Sequence, residues 1–198
     1  MNRSKNYIKY RPEVYITNNS SKLMDWLKKR IPYHNIHTSN SRCYIFMIYN
    51  LGAVYTTLLN IVDKIVLKYH VAKLVLKLTY MKIVHHRSRS RVVHNEYNTI
   101  FEKVSRLNKS GYGFSLNKCN NYYEYAPKDE LYAYLAGVID GDGCISITNN
   151  KGLLLSIGTR HKEYAEWLCH HIHGSYTVSY THLRAHETSL HLVCRLLL

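Results

Sequence analysis

Acidic residues are scarce in this sequence. It carries 13 Asp+Glu against 27 Lys+Arg in 198 residues, a formal net charge of +14 at pH 7 and a pI near 9.5. That imbalance favours a polyanionic partner. Paired cysteine spacings are also missing. The five cysteines, Cys43, Cys119, Cys144, Cys169 and Cys194, are odd in number, and no two form a CxxC. This argues against a disulfide framework or a zinc module and fits a reducing compartment. His170 and His171 are neighbours, but adjacent side chains point apart on a helix, so they do not make a metal pair. The start has no cleavable secretory signal. There is a single long uncharged run, residues 43–62, CYIFMIYNLGAVYTTLLNIV. Its length would cross a bilayer, but Asn50, Asn60, Gly52, Thr56 and Thr57 count against a span.

Apolar residues are plentiful, with 46% in the hydrophobic set, enough for a core. The positive charge is unevenly placed: residues 1–127 hold a balance of +15 and residues 128–198 a balance of −1. The basicity therefore lies in front of the most distinctive stretch, residues 135–143, LAGVIDGDG.

That stretch and its lead-in read as a helix. Pro127 suits a first turn, where its missing N–H costs nothing. Asp129 and Glu130 complement the positive helix start. Leu131, Leu135 and Val138 recur at helical spacing and make one apolar face. Ala133, Gly137 and Gly141 recur every fourth residue and make a second face with almost no side chain, on which another helix could come close. Glycine inside a helix costs roughly 1 kcal/mol against alanine, so Gly137 points to packing. Gly141 and Gly143 are expected to end the helix with Asp142 at its tip. From spacing alone, an ordinary amphipathic helix with a glycine cap and two solvated aspartates fits equally well.

The nonapeptide Leu135-Ala136-Gly137-Val138-Ile139-Asp140-Gly141-Asp142-Gly143 resembles the defining motif of the LAGLIDADG homing endonucleases, departing only at Val138 and Gly141. The resemblance implies that two such helices pack together, from two subunits or from two halves of one chain. It also implies that Asp142 holds a divalent cation over a DNA phosphate, with the Gly141 carbonyl as a second ligand. Mg²⁺, which takes carboxylate and carbonyl oxygen, is the expected cofactor. Paired metals can stabilise both the attacking and the leaving oxygen of a phosphodiester. Asp140 is the weaker candidate ligand. The stretch Leu51-Gly52-Ala53-Val54 lacks the acidic end and is not counted as a second copy.

After the motif, residues 144–148 and 153–160 alternate around the turn Asn149-Asn150-Lys151-Gly152, predicting a β-hairpin with an apolar and a polar side. In the resembled family such a sheet lays its polar face in the major groove. The matching positions are Ser146, Thr148, Ser156 and Arg160, with Asn149, Asn150 and Lys151 at the tip, side chains able to read base edges or hold phosphates. Residues 162–173 read as a second helix. Ahead of the motif, helices are expected over residues 21–30, 57–78 and 95–108, with loops elsewhere and a basic cluster at residues 85–91 able to hold phosphates.

The tail is different. Residues 178–198, VSYTHLRAHETSLHLVCRLLL, resemble a conceptual translation of a sequencing-library adapter. The transposon end GTC TCT TAT ACA CAT CTC CGA GCC CAC GAG encodes Val178 through Glu187. After a short index, CTC GTA TGC CGT CTT CTG CTT encodes Leu192 through Leu198. Such scars do not belong to a fold.

The expected fold class is α+β. A basic N-terminal region, residues 1–120, is mostly helical or irregular. A partial LAGLIDADG domain of helix, hairpin and helix follows at residues 121–177, then the adapter-derived tail at 178–198. A complete family domain runs helix, two strands, helix, two strands, then helices. The half-built sheet should therefore leave an unpaired edge and an uncovered apolar side. The resemblance implies an intron-encoded, metal-dependent endonuclease acting on double-stranded DNA at a long target. The alternatives are an intron-RNA maturase of the same fold or an inactive remnant. The partners would be DNA, or intron RNA, and a second motif from a homodimer or a missing C-terminal half. Abundant Tyr, Asn, Lys and Ile, whose codons are rich in A and T, point to an organellar gene and a mitochondrial location.

Overall fold

The computed structural model describes residues 10–39, 43–86, 90–110, 122–147, 153–159, 161–175, 178–180 and 190–192. The chain divides into two compact units, residues 1–65 with 70–111, and residues 66–69 with 112–198.

The first unit is built on a three-stranded antiparallel sheet that the sequence reading did not foresee. Its strands are β1 (Val14–Asn18), β2 (His34–Ser39) and β3 (Cys43–Ile48), in the order β1-β3-β2. Phe46 on β3 faces Ile16 and Ile36 in the ladder, and Ile48 faces Val14 and His34. Phe46 and Ile48 are fully buried, so this is the inner face. Helix α1 (Ser21–Lys28) packs on β3 and buries Met24 and Leu27. Its start is set by Ser20, whose hydroxyl accepts from the Leu23 N–H, satisfying one of the open donors of a first turn.

The uncharged run is split at Asn50. Residues 43–48 are β3, and the Asn50 Oδ1 accepts from the Gly52 and Ala53 N–H groups to start α2 (Leu51–Ile61), which buries Ala53, Val54 and Leu58. Among the described residues no helix is long and apolar enough to cross a membrane. The single helix expected over residues 57–78 is broken. A 3-10 turn (Val62–Lys64) and an extended Ile65 separate α2 from α3 (Tyr69–Val84). The physical reason is Val66, which is buried in the core of the second unit together with Leu135, Ile157 and Leu168, and that burial outweighs a continuous helical period. Helix α4 (Arg91–Ser110) is longer than expected. Leu78, Met81 and Ile100 form an α3–α4 core with Tyr10, whose hydroxyl bonds Asn98.

The second unit holds α5 (Tyr122–Tyr125), α6 (Lys128–Asp142), β4 (Gly143–Ile147), β5 (Leu153–Ile157) and α7 (Lys162–Ile172). β4 and β5 pair antiparallel, Ile145 opposite Leu155 and Cys144 opposite Ser156. A short pair, β6 (Val178–Tyr180) with β7 (Leu190–Leu192), lies in the adapter-like tail.

Candidate metal and nucleic-acid site

Helix α6 starts at Pro127, whose carbonyl accepts from Glu130 and Leu131, and puts Asp129 and Glu130 in its first turn. Leu135 is buried, and Leu131 and Val138 pack beside it. An aromatic cluster fastens this side to α7. Trp167 lies edge-on to Tyr123 and Tyr134, and the Tyr134 and Tyr164 hydroxyls are 2.8 Å apart. The opposite side is bare. Ala133, Gly137 and Gly141 are all exposed, and a Cβ added at Gly137 or Gly141 would meet nothing within 4 Å. The small-residue face is thus open to a partner within this unit.

The helix ends as its sequence requires. The Gly143 N–H donates to the Ile139 carbonyl, and the Gly158 N–H, just past β5, donates to the Asp142 carbonyl at 3.4 Å. Two backbone bonds therefore hold the turn that carries the Asp142 side chain, which is exposed, as is Asp140. No basic residue stands in the last turn. The two carboxylates therefore share the negative end of the dipole, a setting that favours a cation. Hard oxygen donors suit Mg²⁺ or Ca²⁺, so Asp142 and the Gly141 carbonyl fit such an ion. Among the described residues no three His, Cys, Asp or Glu side chains gather into a complete metal cluster. This helix end therefore offers part of a coordination sphere. The influence of Asp142 reaches Tyr164. Burial first, and the Asp142 charge among smaller causes, push that phenol up to about 12.

The hairpin sorts its side chains as the alternation implied. Cys144, Ser146, Leu154 and Ser156 share one face, and the Ser156 hydroxyl donates to the Cys144 carbonyl at 3.5 Å. Ser146 and Ser156 are half-buried. Thr148, Asn149, Asn150, Lys151 and Arg160 lie outside the described residues. On the other face Ile157 is buried, while Ile145 and Ile147 are each 73% exposed and Leu153 is 58% exposed. Among the described residues, Ile145, Ile147 and Leu153 of that apolar side are uncovered.

No family model and no curated relative matches the sequence. Solved structures do match it. I-SmaMI bound to an uncleaved DNA target in the presence of calcium ions aligns over 91% of this chain and 66% of its own, at 15% identity and a TM-score of 0.55. The LAGLIDADG meganuclease I-AabMI bound to uncleaved DNA aligns over 92% and 68%, at 11% identity and a TM-score of 0.61. The I-LtrWI LAGLIDADG homing endonuclease bound to target DNA aligns over 84% and 62%, at 17% identity and a TM-score of 0.54. The chain has the LAGLIDADG homing-endonuclease fold. It spans about two thirds of the length of the I-SmaMI chain.

The LAGLIDADG alignments reach beyond the motif domain into the first unit, and there the sequence reading missed a surface. The outward face of its sheet presents Tyr15, Thr17, Asn35 and His37, all exposed, around half-buried Ile45 and Met47 on the central strand. The Tyr15 hydroxyl bonds Glu13, and Arg11 pairs with Glu13 at 3.0 Å. The signal was present in Val14-Tyr15-Ile16-Thr17, which alternates apolar and polar over too few residues to stand out.

Proposed function

We propose that this chain is part of an intron-encoded, metal-dependent endonuclease that hydrolyses phosphodiester bonds of double-stranded DNA at a long target site. The observation that carries the reading is the tip of α6. An exposed Asp142 sits at a cation-favouring helix end, beside a glycine face with open space before it. Asp142, with the Gly141 carbonyl, would hold a divalent ion, Mg²⁺ by its ligand chemistry. When bound, such an ion would supply Lewis-acid stabilisation of the phosphate. The chain's own residues do the rest. The Gly158–Asp142 bond holds the acid-bearing turn, and the aromatic cluster holds α6 upright. The polar face of the hairpin and the outward face of the first unit's sheet offer hydroxyl, amide and imidazole groups suited to base edges and phosphates. A mitochondrial location follows the codon-biased composition.

The second motif helix is proposed to belong to the same polypeptide. Single chains of I-SmaMI and I-AabMI align with over nine tenths of this chain, both units included. The first unit runs strand, helix, two strands, helices, the order of the later part of a LAGLIDADG domain. The second unit runs helix, two strands, helix, the order of the earlier part. On this reading the chain joins the back of one repeat to the front of the next.

The deciding experiment uses the complete protein with both motif helices, incubated with intronless target DNA and Mg²⁺, and separately with unspliced intron RNA. Cleavage that disappears in Asp142→Asn supports the nuclease. Splicing help indifferent to Asp142→Asn, without any DNA cleavage, rejects it in favour of the maturase.

A further inference from the structure

Helices α3 and α4 of the first unit form an antiparallel pair. Leu78, Met81 and Ile100 pack together, the Tyr97 hydroxyl donates to the Met81 carbonyl at 3.2 Å, and Lys77 pairs with Glu96 at 2.7 Å. The two helices therefore meet at a tip where the chain passes from Val84 to Arg91. Both are regular up to that point. The His85 N–H donates to the Met81 carbonyl at 2.8 Å, and the His94 N–H donates to the Ser90 carbonyl at 3.1 Å. Lys82 is tied inward, donating to the Tyr10 carbonyl. Among the described residues none nearer the tip than Met81 is buried. Instead Ile83 is 42% exposed, Val84 52% and Val92 76%. Three aliphatic side chains thus project from the end of a well-held helical pair.

Behind the tip, the exposed face of α3 changes character in a fixed order. Val84, Tyr80, Lys77 and Lys73 are four, three and four residues apart, so they share one face of the helix, and all four are exposed. At 1.5 Å per residue, Tyr80 stands about 6 Å behind Val84 and Lys77 about 10 Å. The surroundings are basic. Helix α3 contains no acidic residue, and α4 begins with Arg91 and has no acid in its first turn. The positive end of the α4 dipole therefore coincides with a cation. Aliphatic, then tyrosine, then lysine is the order in which a lipid surface changes, from acyl chains through the interface to the headgroup phosphates. A nucleic acid would use the cations and gain little from three aliphatic side chains. A protein partner would need an apolar hollow shaped to a projecting tip, whereas a lipid surface yields to it.

We propose that the α3–α4 tip, with Ile83, Val84, Arg91 and Val92 in front and Tyr80 behind, docks shallowly on an anionic lipid surface. The site rests on the first unit alone, so it stands or falls separately from the endonuclease reading.

The test mixes the 198-residue chain with vesicles of phosphatidylcholine alone, or of phosphatidylcholine with phosphatidylglycerol, and reads the co-sedimenting fraction. The mixed vesicles should bind the chain, less tightly as salt rises. A chain of net charge +14 could adsorb by charge anywhere on its surface, so charge-neutral variants decide. Val84→Asn combined with Val92→Asn should weaken binding roughly tenfold, and Arg91→Gln roughly fivefold. Leu153→Asn, at an exposed apolar position of the second unit, should change nothing. Val92→Trp should add an emission that lipids brominated in the acyl chain quench. All of these positions are exposed, so circular dichroism melting should be unaltered. Vesicle binding that is unchanged in the double asparagine variant, or weakened equally by Leu153→Asn, overturns the site. So does an added emission that brominated lipid leaves unquenched. If the double variant loses a DNA duplex and keeps the vesicles, the tip serves nucleic acid and the proposal is overturned.

Discussion

Replacing Gly143 by alanine and replacing Gly137 by alanine should move stability in opposite directions, although the motif treats both as glycine. A Cβ on Gly137 meets nothing within 4 Å. The substitution then adds only the helical advantage of alanine, roughly 1 kcal/mol, and raises the melting temperature by about 2–4 °C for a chain of this size. A Cβ on Gly143 would lie 2.5 Å from the Ile139 carbonyl oxygen and 2.6 Å from the Ile139 Cα. Both are backbone atoms that cannot swing aside, so the last turn of α6 must open by nearly an ångström. That movement strains the Gly143–Ile139 bond and the Gly158–Asp142 bond beside it. A net backbone hydrogen bond is worth about 1 kcal/mol, so a loss of about 1–3 kcal/mol follows, several degrees downward. Thermal unfolding followed at 222 nm on this chain separates the two. Equal shifts for the two variants would refute the claim that one glycine serves a partner helix and the other the turn beneath Asp142. On the proposed pairing of motif helices and the proposed metal site, Gly137→Ala in the complete protein should lose its advantage and Gly143→Ala should also lower metal affinity.

Further outcomes follow from the same geometry. Gly137→Leu should leave this chain folded but abolish cleavage by the complete protein, read by a plasmid-nicking assay; retained cleavage would mean that no helix approaches that face. Burial raises Tyr164 from 10.0 to about 12 and raises Tyr123 as well. The folded state therefore holds those protons more tightly than the unfolded chain. Their stabilising contribution is complete below pH 10 and fades as the pH climbs through 10 toward 12, so tyrosinate absorbance at 295 nm should show a late fraction that titrates with unfolding. Ile145→Thr and Ile147→Thr, both at positions 73% exposed, should change stability by less than about 0.5 kcal/mol and reduce concentration-dependent light scattering. A large destabilisation would mean that the hairpin face is already covered.

What could be read from the residues was local and strongly periodic. Helix α6 declares itself through its apolar spacing and acidic first turn, and the hairpin through the strict alternation of residues 144–148 before a turn-forming tetrapeptide. Strand β3 did not declare itself. It is the central strand of its sheet, with Phe46 and Ile48 inward and half-buried Ile45 and Met47 outward, so it lacks alternation and merges with the apolar helix after it. The one available signal was Asn50, an N-cap residue set in the middle of the run. The break at Ile65 was invisible for another reason, since only the burial of Val66 among residues 57 to 102 positions later, from Tyr123 to Leu168, shows why the helix stops. Of the site, Asp142 and the bare glycine face were legible because they lie on one helix. Tyr15, Thr17, Asn35 and His37 come together only through strand pairing across β3.

The same charges that suit Asp142 to a cation make the proposed pairing of motif helices unfavourable without one. Helix α6 ends with Asp140 and Asp142 exposed and no basic residue in its last turn. Two such ends brought together would place several carboxylates and two negative dipole ends at one point. At separations near 6 Å and an effective dielectric of about 40, each carboxylate pair repels by roughly 1 kcal/mol. A divalent ion between them reverses the sign. In the complete protein Mg²⁺ should therefore raise the melting temperature, and chelation should lower it. Asp142→Asn should melt higher than the unaltered protein without metal, yet show little response when metal is added. The activity loss and the stability gain would then share one cause. A variant that melts lower without metal, or an unaltered protein indifferent to Mg²⁺, would mean that the two acidic tips do not meet.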